Sequence, residues 1–308
     1  MLTATRLTYR INRFEVRAIL VATALSVIVS AIVIGWIRSS GYAACLEPTD
    51  GSLTVACLEL QGVGRWATRI ASLSLQLAAF FPLLAGLLLG GPLIARELDR
   101  GTARLAWSLG PSRRRWYGQR VLPILVVVTL TAMVIGIVAE QLTALFAPDV
   151  DLANSFIGFH ARGVLLATSA LLLASIAVAV GSIVGRQIPT ILLALLLGGA
   201  TVLAVAEIDK RVLAGEAVRL TGENYYNHDL VMDEGRFELP DGRLVSYDEL
   251  VAIDPTIMER EFNYPYVQFG IPRERYREIE AREALAQVAL SLGFLVVGAV
   301  VVGRRRPG

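Results

Sequence analysis

The sequence predicts an all-α integral membrane protein. It should have six transmembrane helices, an N-terminal interfacial helix, and a small α+β extracytoplasmic domain between helices five and six. Three observations predict this. Of 308 residues, 55% are hydrophobic and only 18% charged, whereas soluble proteins carry about 25% charge. The apolar residues fall in long unbroken runs. A helix rising 1.5 Å per residue crosses the roughly 30 Å hydrocarbon core in about twenty residues. Finally, the arginines gather in alternate connections. Mean hydropathy is +0.57. These features exclude a cytosolic enzyme, a secreted domain and a disordered chain. Lys210 is the only lysine, a bias of composition rather than a functional signal.

The elements follow in order. Arg6, Arg10, Arg13 and Arg17 recur at steps of four, three and four, and Leu7, Ile11 and Phe14 lie on a neighbouring face. Residues 1–17 are therefore read as a cytoplasmic segment holding an amphipathic helix in the headgroup plane. Span one, Ala18–Ile37, contains no charge. Tyr42-Ala43-Ala44-Cys45 loosely resembles a lipoprotein cleavage site, but the apolar run before it is too long for a signal peptide, so a retained span is expected. Cys45 and Cys57 are the only cysteines and share the first outer loop. On an oxidising side they could form a bridge contributing about 3 kcal/mol; two free thiols are the alternative. Span two, Ile70–Ala95, carries Gln76 and Pro82. Span three, Val121–Phe146, has Pro123 in its first turn and Glu140 near its far end. Span four is Gly163–Val184, and span five, Ile188–Ala206, opens with Pro189, which suits a helix start. Residues 18–206 thus hold spans one to five, with a loop at 96–120.

Orientation follows from arginine placement. The N-terminal stretch, the loop with Arg96, Arg100, Arg104, Arg113, Arg114, Arg115 and Arg120, the turn with Arg186, and the tail Arg304–Arg306 all fall on one side of six spans. Both termini are expected in the cytoplasm of a multi-pass cell-membrane protein. Residues 207–283 form the outer domain. They hold 18 acidic against 10 basic residues and six of the nine tyrosines. A hairpin is expected over Gly235–Ser246, turning at Pro240-Asp241-Gly242. Ser246 and Glu249 form a capping box, Asp254-Pro255 starts another helix, and Pro272 starts a helix that runs into span six. Residues 284–308 are span six, Ala284–Val302, and the basic tail.

Signals for chemistry on this chain are weak. A phosphate-binding loop needs Gly-Lys-Ser/Thr, and Lys210 follows Asp209, so ATP could be used only by a separate chain. His160 and His228 are not paired at ligand spacing. His228-Asp229 with Asp233-Glu234 reads as solvated acidic loop, and no metal site or catalytic residue is expected. Glu140 is costly inside a bilayer. With Gln141, Gln76 and Gln287 it could line a polar cavity; alternatively it reaches the outer surface near Asp149.

The loop at 96–120 is the most informative stretch. Gly101-Thr102 should break the preceding helix and cap a new one. A short helix, Thr102–Leu109, should present Leu105 and Trp107. Gly110-Pro111 stops it, Ser112 caps the helix into span three, and Arg113–Arg115 lie at headgroup level. This order, an acid, Gly-Thr, a short amphipathic helix, Pro-Ser-Arg and then a span, resembles the inner loop of type-two ATP-binding-cassette (ABC) exporter permeases. Glu97, Gly101-Thr102 and Pro111-Ser112-Arg113 carry the resemblance, and the span count and termini extend it over nearly the whole chain.

The resemblance implies a non-catalytic permease in a dimer with a second copy or homologue. Cytosolic ABC ATPase subunits would hold the ATP and Mg, with no cofactor on this chain and no nucleic-acid partner. It implies ATPase coupling through Glu97, Gly101, Thr102, Leu105, Trp107, Pro111, Ser112 and Arg113, with a minor contact at 185–189. It also implies outward movement, and the largely aliphatic spans, with Ser26, Ser30, Gln76, Thr131 and Gln141 as polar points, suit an amphipathic or hydrophobic cargo such as a drug, lipid or peptide. The outer domain is larger than the short re-entrant segment usual in that class. The competing reading is a non-transporting membrane sensor or immunity protein whose outer domain binds a ligand or partner.

Overall fold

The computed structural model describes residues 12–40, 42, 61–109, 112–146, 151–220, 229–232, 235–253 and 264–305. Arg6, Arg10, Cys45, Cys57, Pro111, Asp149, His228, Asp233, Glu234 and Asp254-Pro255 lie outside these residues, and so do the expectations attached to them. The chain divides into two compact units. One is drawn from Met1–Asp149, Gly158–Val202 and Glu280–Gly308, the other from Val150–Ile157 and Leu203–Ile279.

Among the described residues, six helices are long and apolar enough to cross a membrane, as the run lengths dictate. They are α1 (Arg13–Ser40); α2 (Gln61–Ala85), continued by a π-helical turn (Gly86–Gly90) into α3 (Gly91–Asp99); α5 (Arg113–Phe146); α6 (Gly163–Val184); α7 (Gln187–Glu216); and α9 (Tyr276–Arg304). The short helix α4 (Thr102–Leu109) lies between α3 and α5, and α8 (Tyr247–Ile253) lies in the second unit. Arg13 and Arg17, expected in a separate interfacial helix, belong to α1 without a break. Nothing in Arg13–Arg17 favours a turn, so the helix of span one starts there.

Helix α6 is the centre of the membrane unit. Sixteen of its residues, from Leu165 to Ser182, are buried, including Ala170, Ala174 and Ala177 at helical spacing. Small residues let neighbours approach to backbone distance. A Cβ on Gly86 would sit 2.9 Å from the Ala174 nitrogen, and one on Gly90 would sit 2.7 Å from the Ala174 oxygen. Gly136 of α5 is pressed likewise on the Gly163 oxygen, at 2.7 Å. The π-helical turn thus lies where α2 must close on α6, and it inserts one extra residue per turn just before α3. The apolar core then runs through Ile94, Ile124, Val128 and Leu166, all essentially without exposed surface.

The second unit carries a five-stranded antiparallel sheet built on β5 (Tyr266–Ile271). Strand β1 (Val218–Leu220) pairs along one edge, with Val218 opposite Gly270; β2 (Leu230–Val231) and β3 (Arg236–Glu238) pair along the other. Strand β4 (Leu244–Val245) closes the hairpin on β3. Its turn uses Gly242 at φ +82°, where a side chain is unfavourable. The Arg243 backbone N–H, helped by its guanidinium, holds the Asp241 carboxyl below the usual carboxylate range. Ser246 and Glu249 make the reciprocal box at the start of α8. The Glu249 N–H donates to Ser246 Oγ at 3.2 Å, and the Ser246 N–H donates to Glu249 Oε2 at 2.9 Å. Phe237, Leu239, Val245 and Leu250 form the small core.

Glycine positions separate packing from propensity. Gly90→Ala should lower the thermal midpoint of the detergent-purified chain, overpacking costing about 1–3 kcal/mol. Gly199→Ala, where nothing lies within 4 Å of the added carbon, should leave it unchanged or raise it. A wild-type midpoint for Gly90→Ala would contradict the close approach on α6.

Candidate functional site

The loop between α3 and α5 is a folded corner held at both ends. Helix α3 ends because Gly101 takes φ +69°, the left-handed close that glycine favours. The Arg100 N–H donates to the Arg96 oxygen at 3.1 Å, and the Gly101 N–H to the Leu98 oxygen at 3.2 Å. Thr102 was expected to cap the new helix. Its hydroxyl instead donates backward to the Glu97 oxygen at 3.2 Å, closing the end of α3, because Thr102 is already the first residue of α4. The Ser112 oxygen accepts the first bond of α5, from the Trp116 N–H at 3.0 Å.

Two buried charges fix this corner to the bundle. Arg120 Nε lies 3.1 Å from Glu97 Oε1, with side chains only 11% and 8% exposed. Removing one member of such a pair leaves an uncompensated buried charge. The adjacent Arg96 reaches α1, where Nη1 donates to Glu15 Oε1 at 2.8 Å and Nη2 to Asn12 Oδ1 at 2.5 Å. Glu97 therefore joins α3 to α5, while Arg96 joins α3 to α1.

Helix α4 sorts its residues by face. Ala103 is buried and Ala106 and Trp107 are half-buried against the core. Arg104, Leu105 and Ser108 face outward, and Leu105 is 64% exposed. The expectation that the helix presents both Leu105 and Trp107 thus holds for Leu105 only. Residues 103, 106 and 107 share the inward face at helical spacing, so Trp107 turns in. Its ring meets Trp116 edge-on at 5.6 Å and 86°, and the Arg113 guanidinium sits 4.9 Å over it, a cation–π contact.

The neighbouring turn is tied to the same corner. Gly185 takes φ +69° and ends α6, and the Gln187 N–H, at the start of α7, donates to Asp99 Oδ2 at 3.4 Å. Arg305 Nη2 donates to the Ile183 oxygen at 2.8 Å, and Arg113 Nη1 donates to the Arg305 oxygen. The ends of α3, α5, α6, α7 and α9 are thereby linked through Asp99, Arg113 and Arg305. The order of charges along the chain gives no sign of the last two contacts, which depend on where α9 ends.

The residues expected to line a polar cavity do not meet. Gln76 and Gln141 are exposed and Glu140 is half-buried. The buried face of α2 carries Ala71, Ala78 and Phe81, and that of α5 carries Ala139, Leu142 and Thr143. Two residues from such a position is about 200° round a helix, so Gln76 and Gln141 point away from the core. A different buried polar seam exists. Gln287 Oε1 accepts from Thr168 Oγ1 at 2.5 Å and Ser169 Oγ at 3.1 Å. Ser291 and Glu283 are buried above and below Gln287 on α9, and His160 Nδ1 lies 3.5 Å from Glu283 Oε2. The spacing of Glu280, Glu283, Gln287 and Ser291 was the available signal for this stripe. Among the described residues there is no group of three or more metal-ligating side chains.

Comparison with known proteins adds one match. The family described as ABC-2 membrane transporter related matches residues 16–208, a span that includes α3, α4, α5 and the Gly185 turn. No curated protein matches, and neither does any solved structure.

The buried pair is open to a stability test. Glu97→Ala should cost about 3–5 kcal/mol in detergent unfolding, because Arg120 is left buried and unpaired. Glu97→Leu combined with Arg120→Met should recover most of that loss. A single variant as stable as the wild type would show that the pair does not fasten the corner.

Proposed function

The chain belongs to the ABC-2 membrane transporter related family, and from that premise we propose that it exports an amphipathic or hydrophobic cargo using ATP hydrolysed on a separate subunit. Membership makes it a multi-pass ABC-type permease, a class that works with an ABC ATPase. The direction, the cargo and the docking residues are our reading. The observation that carries it is helix α4, a short rigid helix with an exposed leucine, clamped to the spans on both sides. A protein-docking element needs that combination of an apolar anchor and a stiff mount.

In this reading the arginine-rich end faces the cytoplasm, and each of two permease copies presents its α4 to an ATPase subunit. Leu105 is the anchor, with Arg104 and Ser108 beside it. Trp107 is a positioning residue, holding α4 on Trp116. Glu97, Gly101, Thr102, Ser112 and Arg113 set the corner, and the turn at 185–189 is the minor contact. ATP and Mg bind the partner and drive its closure. A push on Leu105 passes to α5 through Glu97–Arg120 and to α1 through Arg96–Glu15, so the spans tilt together and a path opens outward. Mostly aliphatic spans, whose buried polar residues include Ser30 and Thr131, suit a cargo with a large apolar part.

Leu105→Asp should test the anchor. Inserted and folded as the wild type, it should weaken association with the ATPase by at least about thirtyfold, as loss of one interface hot spot does. It should also abolish stimulation of hydrolysis by cargo. The assay is co-reconstitution in vesicles with titrated ATPase. Wild-type coupling in this variant would sink the assignment of α4. Trp107→Asp is not an equivalent test, because it buries a charge and disturbs the fold itself.

A further inference from the structure

Helices α5 and α9 bound a groove of about 480 Å³ at the arginine-rich end of the bundle, a volume within the range of small-molecule sites, about 300–1,000 Å³. Arg115 stands at its end, Leu122 and Leu125 line the α5 wall and Leu295 the α9 wall. Gly118 leaves a notch, since nothing lies within 4 Å of where its Cβ would be.

The groove is polarised along the helices. Arg115 and Leu125 are ten residues apart, about 15 Å of helix. Leu295 lies equally far from Arg305 at the end of α9. Arg115 therefore marks a cationic end of the groove, and apolar walls begin deeper in the bundle. No acidic residue occurs from Arg113 to Ala139 or from Ala284 to Arg305. Arg120 is committed to Glu97, and Arg113 to Trp107 and the Arg305 carbonyl. Arg114 and Arg115 are exposed, and neither has an ion pair among the described residues.

A cationic mouth without counter-charge above an apolar trough fits an anionic amphiphile. We propose that this groove binds one anionic phospholipid from the leaflet at the arginine-rich end. Its phosphate sits on Arg115, and its acyl chain lies along Leu122, Leu125 and Leu295. The site stands on α5 and α9 alone and does not require the transport reading.

The test uses the full chain in nanodiscs of phosphatidylcholine and phosphatidylglycerol with matched acyl chains, released in a native mass spectrometer. One phosphatidylglycerol per chain should be retained in preference to phosphatidylcholine. Arg115→Gln should lower that retention about fivefold, the size of one arginine's attraction to an anionic lipid surface. Leu122→Trp fills the trough without changing its charge and should lower retention of both lipids. Arg100→Gln, on the exposed turn after α3, should change neither. Equal retention of the two lipids, or phosphatidylglycerol retention unmoved by Arg115→Gln, would overturn the proposal. So would an interchain disulfide specific to Leu122→Cys in native membranes, because a second copy would then occupy the groove.

Discussion

Glu97 and Arg120 are charged, come from different helices, and sit together out of reach of solvent. Burial of either alone would cost several kcal/mol, so α3 cannot drift from α5 without exposing one of them. That single constraint decides where the chain between the two helices goes. With both ends fixed, the corner at Gly101 and the short helix α4 have little freedom, and Leu105 is carried outward on a rigid mount. Arg96, one residue earlier, extends the same fastening to α1. The Trp107–Trp116 contact completes it from the other face of α4. The proposed coupling depends on that stiffness: a leucine on a mobile loop could bind a partner but could not transmit a push to three spans.

The position of Glu97 depends in turn on the close packing around α6. Gly86 and Gly90 allow the π-helical turn to reach the backbone of α6, and α3 leaves that turn toward Arg120. In lipid there is no hydrophobic force between helices, so contact area and hydrogen bonds carry the association. The alanine face of α6 supplies the first, and the Gln287 contacts with Thr168 and Ser169 supply the second. A carboxylate and two backbone approaches thus make one mechanical chain from the middle of the membrane unit to its arginine-rich end.

Much of this was legible in the sequence, for physical reasons. Run length alone gives the six spans, because the bilayer fixes the length and composition of any helix that crosses it. The Pro240-Asp241-Gly242 turn and the Ser246/Glu249 box are local, and both form as their chemistry dictates. Glu97, Gly101 and Thr102 were recognised as belonging to the corner, but the direction of the Thr102 hydroxyl was not. It depends on α3 and α4 meeting at Gly101 with no intervening cap residue. Trp107 shares the inward face of α4 with Ala103 and Ala106, but two alanines mark that face only faintly in the sequence, and the Trp116 ring and Arg113 charge that receive Trp107 lie across the corner. Gln76 and Gln141 lie on the outward faces of their helices in the single chain, a matter of helical phase that polarity alone does not fix. The seam at Gln287 was written in the spacing of Glu280, Glu283, Gln287 and Ser291, but its partners Thr168 and Ser169 lie over a hundred residues away. The link from Arg113 to Arg305 is of the same kind, since it joins residues brought together only by packing.

The proposed function requires that α4 be the surface through which a separate ATPase acts on the spans. The most direct measurement places a photo-crosslinking amino acid at Leu105 in the full chain, in its native membrane, and identifies the adduct by mass spectrometry. The account predicts a nucleotide-binding ABC subunit joined at Leu105, and no such adduct from an equivalent probe at Ala103 on the buried face. Adducts at Leu105 confined to lipid or to proteins without a nucleotide-binding fold would contradict it.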